Sequence, residues 1–157
     1  MSTLEEQIDI DVPARVAWDR LHRVEDYPRF MGGVREARTE GRHRAHLDIH
    51  AGDRVYELDA EILDRGQGRL MMWRTMNGAP HLAGTFSILP LDPEHTRIQV
   101  RVEYDPDTVK EEFGGPKGFA QASAIERLVR NDLRQFKDLA EKERTEGKDE
   151  PWPRQKP

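Results

Sequence analysis

Between Val34 and Tyr104 the chain offers six short segments in succession, each cut from the next by turn-forming residues. VREART ends at Gly41, RAHLDIHA at Gly52-Asp53 and RVYELDAEIL at Gly66-Gln67-Gly68. RLMMWRTM ends at Asn77-Gly78, a pair that tolerates the positive φ of a tight hairpin. HLAGTFSILPL ends at Asp92-Pro93-Glu94 and TRIQVRVEY at Asp105-Pro106. Strands joined by connections this short form an antiparallel meander, because parallel neighbours need long crossovers. A seventh strand precedes them. In LEEQIDIDV, residues 4–12, Leu4, Ile8, Ile10 and Val12 share one parity, which only Glu6 breaks.

Such a sheet has an apolar face that something must cover. From Phe119 to about Lys142 there is neither proline nor glycine, and Ala122, Ile125, Val129, Leu133, Phe136 and Ala140 recur every three or four residues. That spacing predicts one long amphipathic helix. A first helix is expected to open at Pro13, where the missing N–H costs nothing, and to end at Tyr27-Pro28, with one further short turn in PRFM. The expected architecture is α+β, in the order strand, helix, short turn, six strands, long helix. Residues 1–142 form the domain; 143–157, charged and proline-bearing with Trp152 as the one large apolar group, are expected to be a disordered tail.

A curled sheet gripping one helix can fill along the helix and gape at its ends. The inward sets are Ala45, Leu47 and Ile49; Tyr56, Leu58, Ala60 and Ile62; Met71, Trp73 and Thr75; Leu82, Gly84, Phe86 and Ile88; and Ile98, Val100, Val102 and Tyr104. They mix small residues with aromatic and flexible ones. A mainly apolar pocket with a few polar tips fits that mixture, and so does a solidly packed core. The stretch VEDYPRFMGGVRE, residues 24–36, raises the same choice. Tyr27, Phe30 and Met31 either line a cavity or plug the end of the core, and Gly32-Gly33 lets the chain turn sharply into the next strand. FGGPKG, residues 113–118, reads either as a plain glycine-rich connection or as a mobile element at the cavity entrance.

Few residues carry obvious chemistry. HLDIH places His46, Asp48 and His50 on one strand face, a set able to ligate a metal, but the parity opposite Leu47 and Ile49 predicts a solvated face. Asp59 and Glu61 are expected on the same outer side as plain surface charge. GGPKG lacks phosphate-loop spacing, no G-x-S-x-G is present, and the chain has no cysteine, which removes disulfides, thiolate catalysis and Cys-based zinc sites. With a net charge of -5, nucleic acid is disfavoured as a partner. No apolar run is long enough to span a bilayer and no signal peptide is visible, so a cytoplasmic protein is expected, as a monomer or weak homodimer.

IDIDVPARVAWDRLHRVEDYPRFMGGVREAR, together with LDAEILDR, MMWRT, VEYDP and the final NDLRQFKDLAE, resembles the polyketide cyclase/dehydrase family of the START-like, helix-grip (SRPBCC) superfamily, which also contains coenzyme-Q-binding proteins. The resemblance covers about residues 4–142. It implies a seven-stranded curved antiparallel sheet wrapped around a long C-terminal helix, with a hydrophobic cavity between them. It tips the choice toward binding of a lipid, isoprenoid quinone or polyketide-like molecule, with no cofactor and no metal. The walls would come from Tyr27, Phe30 and Met31; from Leu47, Ile49, Leu58 and Ala60; from Met71, Trp73, Gly84 and Phe86; and from Val100, Val102, Ile125 and Val129. Tyr104, Thr75 and Tyr27 would orient the ligand by hydrogen bonds. The alternative is an aromatase/cyclase or dehydratase in the same cavity. An Arg, His or Glu head group inside would favour it, and the inward sets contain none: Arg74 is expected to point outward, while Glu57 or His81 would enter only if the parity slipped. Gly84→Leu is expected to fill the cavity and abolish binding while leaving the fold mostly intact.

Overall fold

The computed structural model describes residues 2–51, 54–65, 68–76, 82–105 and 122–148, with the side chains of 51, 54, 56, 122–125 and 143–148 outside the described set. Asn77-Gly78, His81, FGGPKG and residues 149–157 therefore also lie outside it.

The strands are β1 (Ser2–Ile10), β2 (Val34–Thr39), β3 (Arg44–Ala51), β4 (Arg54–Arg65), β5 (Leu70–Met76), β6 (Leu82–Asp92) and β7 (His95–Tyr104). They form one antiparallel sheet in the order β1-β7-β6-β5-β4-β3-β2. Six of them follow the chain as a meander, and β1 closes onto the far end, running from Ser2 opposite Tyr104 to Ile10 opposite Thr96. Two turns demand glycine: Gly41 and Gly68 have φ of 77° and 89°, a region that side chains with a Cβ rarely enter. At the β6–β7 turn the Asp92 carboxylate accepts the Glu94 N–H at 2.8 Å.

Helix α1 (Ala14–Leu21) starts directly after Pro13 but ends well short of Tyr27-Pro28. A separate 3-10 helix, Val24–Arg29, follows and contains both residues. The expectation of one continuous helix fails for a packing reason. Residues three apart eclipse one another in a 3-10 helix, so Val24 and Tyr27 fall on one buried face. The tighter path is held by the Tyr27 hydroxyl, which donates to the Leu21 carbonyl at 2.6 Å, and by Arg20 against Asp26 at 3.3 Å.

The C-terminal helix α2 (Ala122–Lys148) continues past Lys142. It lies against β1, where Glu6, the residue that breaks the inward parity, meets Arg130 at 3.0 Å. Further along, the Asp11 N–H donates to Glu141 at 2.7 Å. The core joins Ile10, Val12, Ile88 and Ile98 of the sheet side to Leu133, Phe136 and Ala140 of α2, with Leu21, Val24 and Phe30 closing one end. Thr96, fully buried, donates its hydroxyl to the Val12 carbonyl at 2.7 Å and ties β7 to the turn after β1.

Candidate functional site

Two adjoining pockets, each partly open to the surface and of about 240 and about 170 Å³, share Met31, Val34, Ile49, Trp73, Leu82 and Phe86 as walls. The larger lies against α2, with Phe30, Val100, Val102, Tyr104 and Val129 among its lining residues. The smaller lies under the centre of the sheet, with Tyr27, Leu47, Leu58, Ala60, Met71 and Thr75 around it. Strand alternation explains this grouping, because each set is the inward parity of its strand. Trp73 and Phe86 belong to both voids.

Two expected lining residues stand apart. Gly84 lies in neither void but beneath the Trp73 indole, where an added Cβ would sit 2.5 Å from Cζ2 of that ring. Ile125 is on α2 with its side chain outside the described residues. The expected orienting hydroxyls are also mostly engaged. Tyr27 spends its O–H on Leu21, and burial pushes that phenol well above its ordinary value. Thr75 Oγ1 accepts the Leu82 N–H at 3.0 Å and faces the Leu82 carbonyl at 3.3 Å. These bonds turn both residues inward as structural members. Tyr104 is buried and lines the larger void.

Asp132, which belongs to none of the expected inward sets, lines the larger void together with His50. Asp132 sits half-buried on α2, and its Oδ1 accepts the Gly32 N–H at 3.1 Å. Burial pushes its carboxyl from 3.8 up to about 6, with the Gly32 bond pulling partly the other way. A signal was present in the sequence: Leu128, Asp132 and Phe136 follow one another at helical i, i+4 spacing. The stripe drawn through Val129 and Leu133 passed beside it.

The raised value has a stability consequence. The folded chain holds this proton more tightly than the unfolded chain, so stability falls as pH rises from about 4 to 6 and the cost is complete above 6. Full conversion gives at most ~3 kcal/mol, and partial solvent access reduces it to about 1–2 kcal/mol. Asp132→Asn, which keeps an oxygen for Gly32, should therefore be more stable than the native chain by that amount at pH 8. The two should converge below pH 4. Urea unfolding at both pH values checks this; equal midpoints at pH 8 would contradict it.

On the convex face, His46 is not solvated as its parity suggested. It is 8% exposed, with Nδ1 2.8 Å from Asp59 and Nε2 3.0 Å from Asp48. Neighbouring side chains cover it. The Asp59 carboxylate does most to hold its pKa above the ordinary histidine value. Glu40 and Glu57 complete two groups with metal-ligand proximity. Both ring nitrogens are already met by carboxylates, the geometry of a protonated imidazolium clamp across β3 and β4. Arg74, on the same outer side, pairs with Glu61 at 2.7 Å.

A curved antiparallel sheet closed by one long helix over an apolar interior is a helix-grip fold. The chain belongs to the polyketide cyclase/dehydrase and lipid transport family, whose model matches residues 1–141. It is 30% identical over 141 residues to an uncharacterized 17.2 kDa protein from the melC2-rnhH intergenic region of Streptomyces lincolnensis, covering 90% of this chain and 91% of that one. The fold is shared with the ZhuI aromatase/cyclase from Streptomyces sp. R1128 at TM-score 0.71 and 19% identity, over 89% of this chain and 93% of that one. It is shared too with the di-domain ARO/CYC BexL of the BE-7585A biosynthetic pathway, at TM-score 0.67 and 16% identity over 88% of this chain. This chain spans about half the length of BexL, 46%. Among the described residues no helix is long and apolar enough to cross a membrane.

Proposed function

We propose that the protein binds a hydrophobic or amphipathic small molecule, such as a lipid, isoprenoid quinone or polyketide-like compound, between the sheet and α2. The observation that carries this reading is the pair of adjoining voids with apolar walls. Burying ligand surface there yields about 25 cal/mol per Å² before the costs of ordering. Trp73 and Phe86 supply flat contact area to both voids. Family membership supports the same reading.

Protein purified from its own host should carry a retained small molecule in native mass spectrometry. Ile49 borders both voids, so Ile49→Trp should fill space and lower occupancy at least tenfold while Tm stays within a few degrees. A native chain that carries nothing, or a variant as fully occupied as the native chain, would sink the reading.

A second reading, cyclase or dehydratase chemistry on a bound polyketone, is favoured by one observation. Asp132 places in the larger void a carboxyl that titrates at about 6, near the range a general acid or base needs. The two readings part on whether a bound poly-β-ketone is recovered intact or cyclised.

A further inference from the structure

The larger void has a polarity of its own. Among the described residues that line it there is one carboxyl, Asp132, and no lysine or arginine. The Gly32 N–H donates to the Asp132 carboxyl, and His50 and Tyr104 are the other titratable residues lining the same space. Arg35 contacts His50 Nε2 at 3.4 Å, which places its guanidinium beside that ring. The acid thus enters an apolar chamber with one backbone donor as its described partner. A carboxylate so placed is short of hydrogen-bond donors and positive charge, and a second anion beside it is costly in a poorly solvated site.

We propose that Asp132 sets a headgroup rule for this cavity. Apolar ligands ending in a hydrogen-bond donor or a cation, such as a long-chain alcohol or amine, are accepted with that end at Asp132. Ligands ending in a carboxylate, such as fatty acids, are rejected. The inference rests on the binding reading above and adds the chemical class of ligand to it. It concerns selection, and holds whether or not a reaction follows.

The test is isothermal titration calorimetry of the full chain at pH 7.5 with decanol, decylamine and decanoate, three probes that differ in their polar end. The native chain should bind decanoate at least tenfold more weakly than decanol, with decylamine equal to decanol or tighter. In Asp132→Asn the gap between decanoate and decanol should close to within threefold, and any preference for the amine should vanish. Decanoate binding as tightly as decanol to the native chain would overturn the rule, as would a gap that persists in the variant. If the variant does not fold, the native ranking alone decides. Absence of binding by all three probes would overturn the cavity reading itself, and the headgroup rule with it.

Discussion

Phe136→Ala is expected to lower the unfolding free energy by about 3–5 kcal/mol. Phe136 is 2% exposed on the inner face of α2. Its ring meets Phe30 edge-on at 5.0 Å, and Phe30 in turn meets Tyr27 at 5.4 Å. Three aromatic rings thus link α2 to the 3-10 helix and the glycine turn. Truncation removes the ring from that chain and enlarges a void that already borders it, so the neighbours have little prospect of collapsing into the gap. Urea unfolding should register the loss as a lower midpoint with an unchanged slope. A loss below about 1.5 kcal/mol would mean that these rings do not anchor the helix, since that is no more than the removal of a single buried methyl group costs.

Gly84→Ala should cost about 2–3 kcal/mol, and Gly84→Leu more. The added Cβ would sit 2.5 Å from Trp73 Cζ2 and 2.7 Å from the Arg101 carbonyl oxygen. The indole could swing aside only into the void it borders. The oxygen belongs to β7 and cannot retreat without disturbing its pairing with β6. Leucine here would therefore not spare the fold, and loss of binding would follow from damage to the sheet as well. Gly33 supplies the control. A Cβ there would meet its nearest neighbour at 3.8 Å, ordinary contact, so Gly33→Ala should leave the midpoint nearly unchanged. Equal midpoints for Gly84→Ala and the native chain would contradict the close approach.

The meander was legible because each strand announces itself twice, by alternation and by the turn that ends it. Gly41 and Gly68 mark turns whose backbone requires them, and the long helix needed only its stripe and an uninterrupted run. What stayed hidden depended on contacts between distant segments. The break between α1 and the 3-10 helix answers to where Tyr27 must point, and no local pattern encodes that. Parity gave the side of the sheet on which His46 lies but not its covering by Asp48, Asp59 and Glu57, which depends on register between β3 and β4. Glu6 looked like an error in an otherwise clean strand until α2 brought Arg130 to it. Asp132 was missed because an acid on the flank of an apolar stripe reads as the edge of the solvated face. Its placement in the void becomes visible only when the Gly32 turn approaches from the far end of the chain. Inward parity alone could name most of the lining residues. It could not show that Tyr27 and Thr75 spend their hydroxyls within the protein.

The pairing of β1 with β7 bears on how the chain matures during its synthesis. Strands β3 through β7 each pair with the strand just before them, so β2 to β7 can zip up progressively as they leave the ribosome. The first strand must wait until Tyr104 has emerged before its partner exists. For that interval Leu4, Ile8 and Ile10 present a greasy, unpaired ribbon, the kind of surface that chaperones hold and that aggregates nucleate on. The acidic residues set among them, Glu5, Glu6 and Asp9, are well placed to keep nascent copies from sticking to one another.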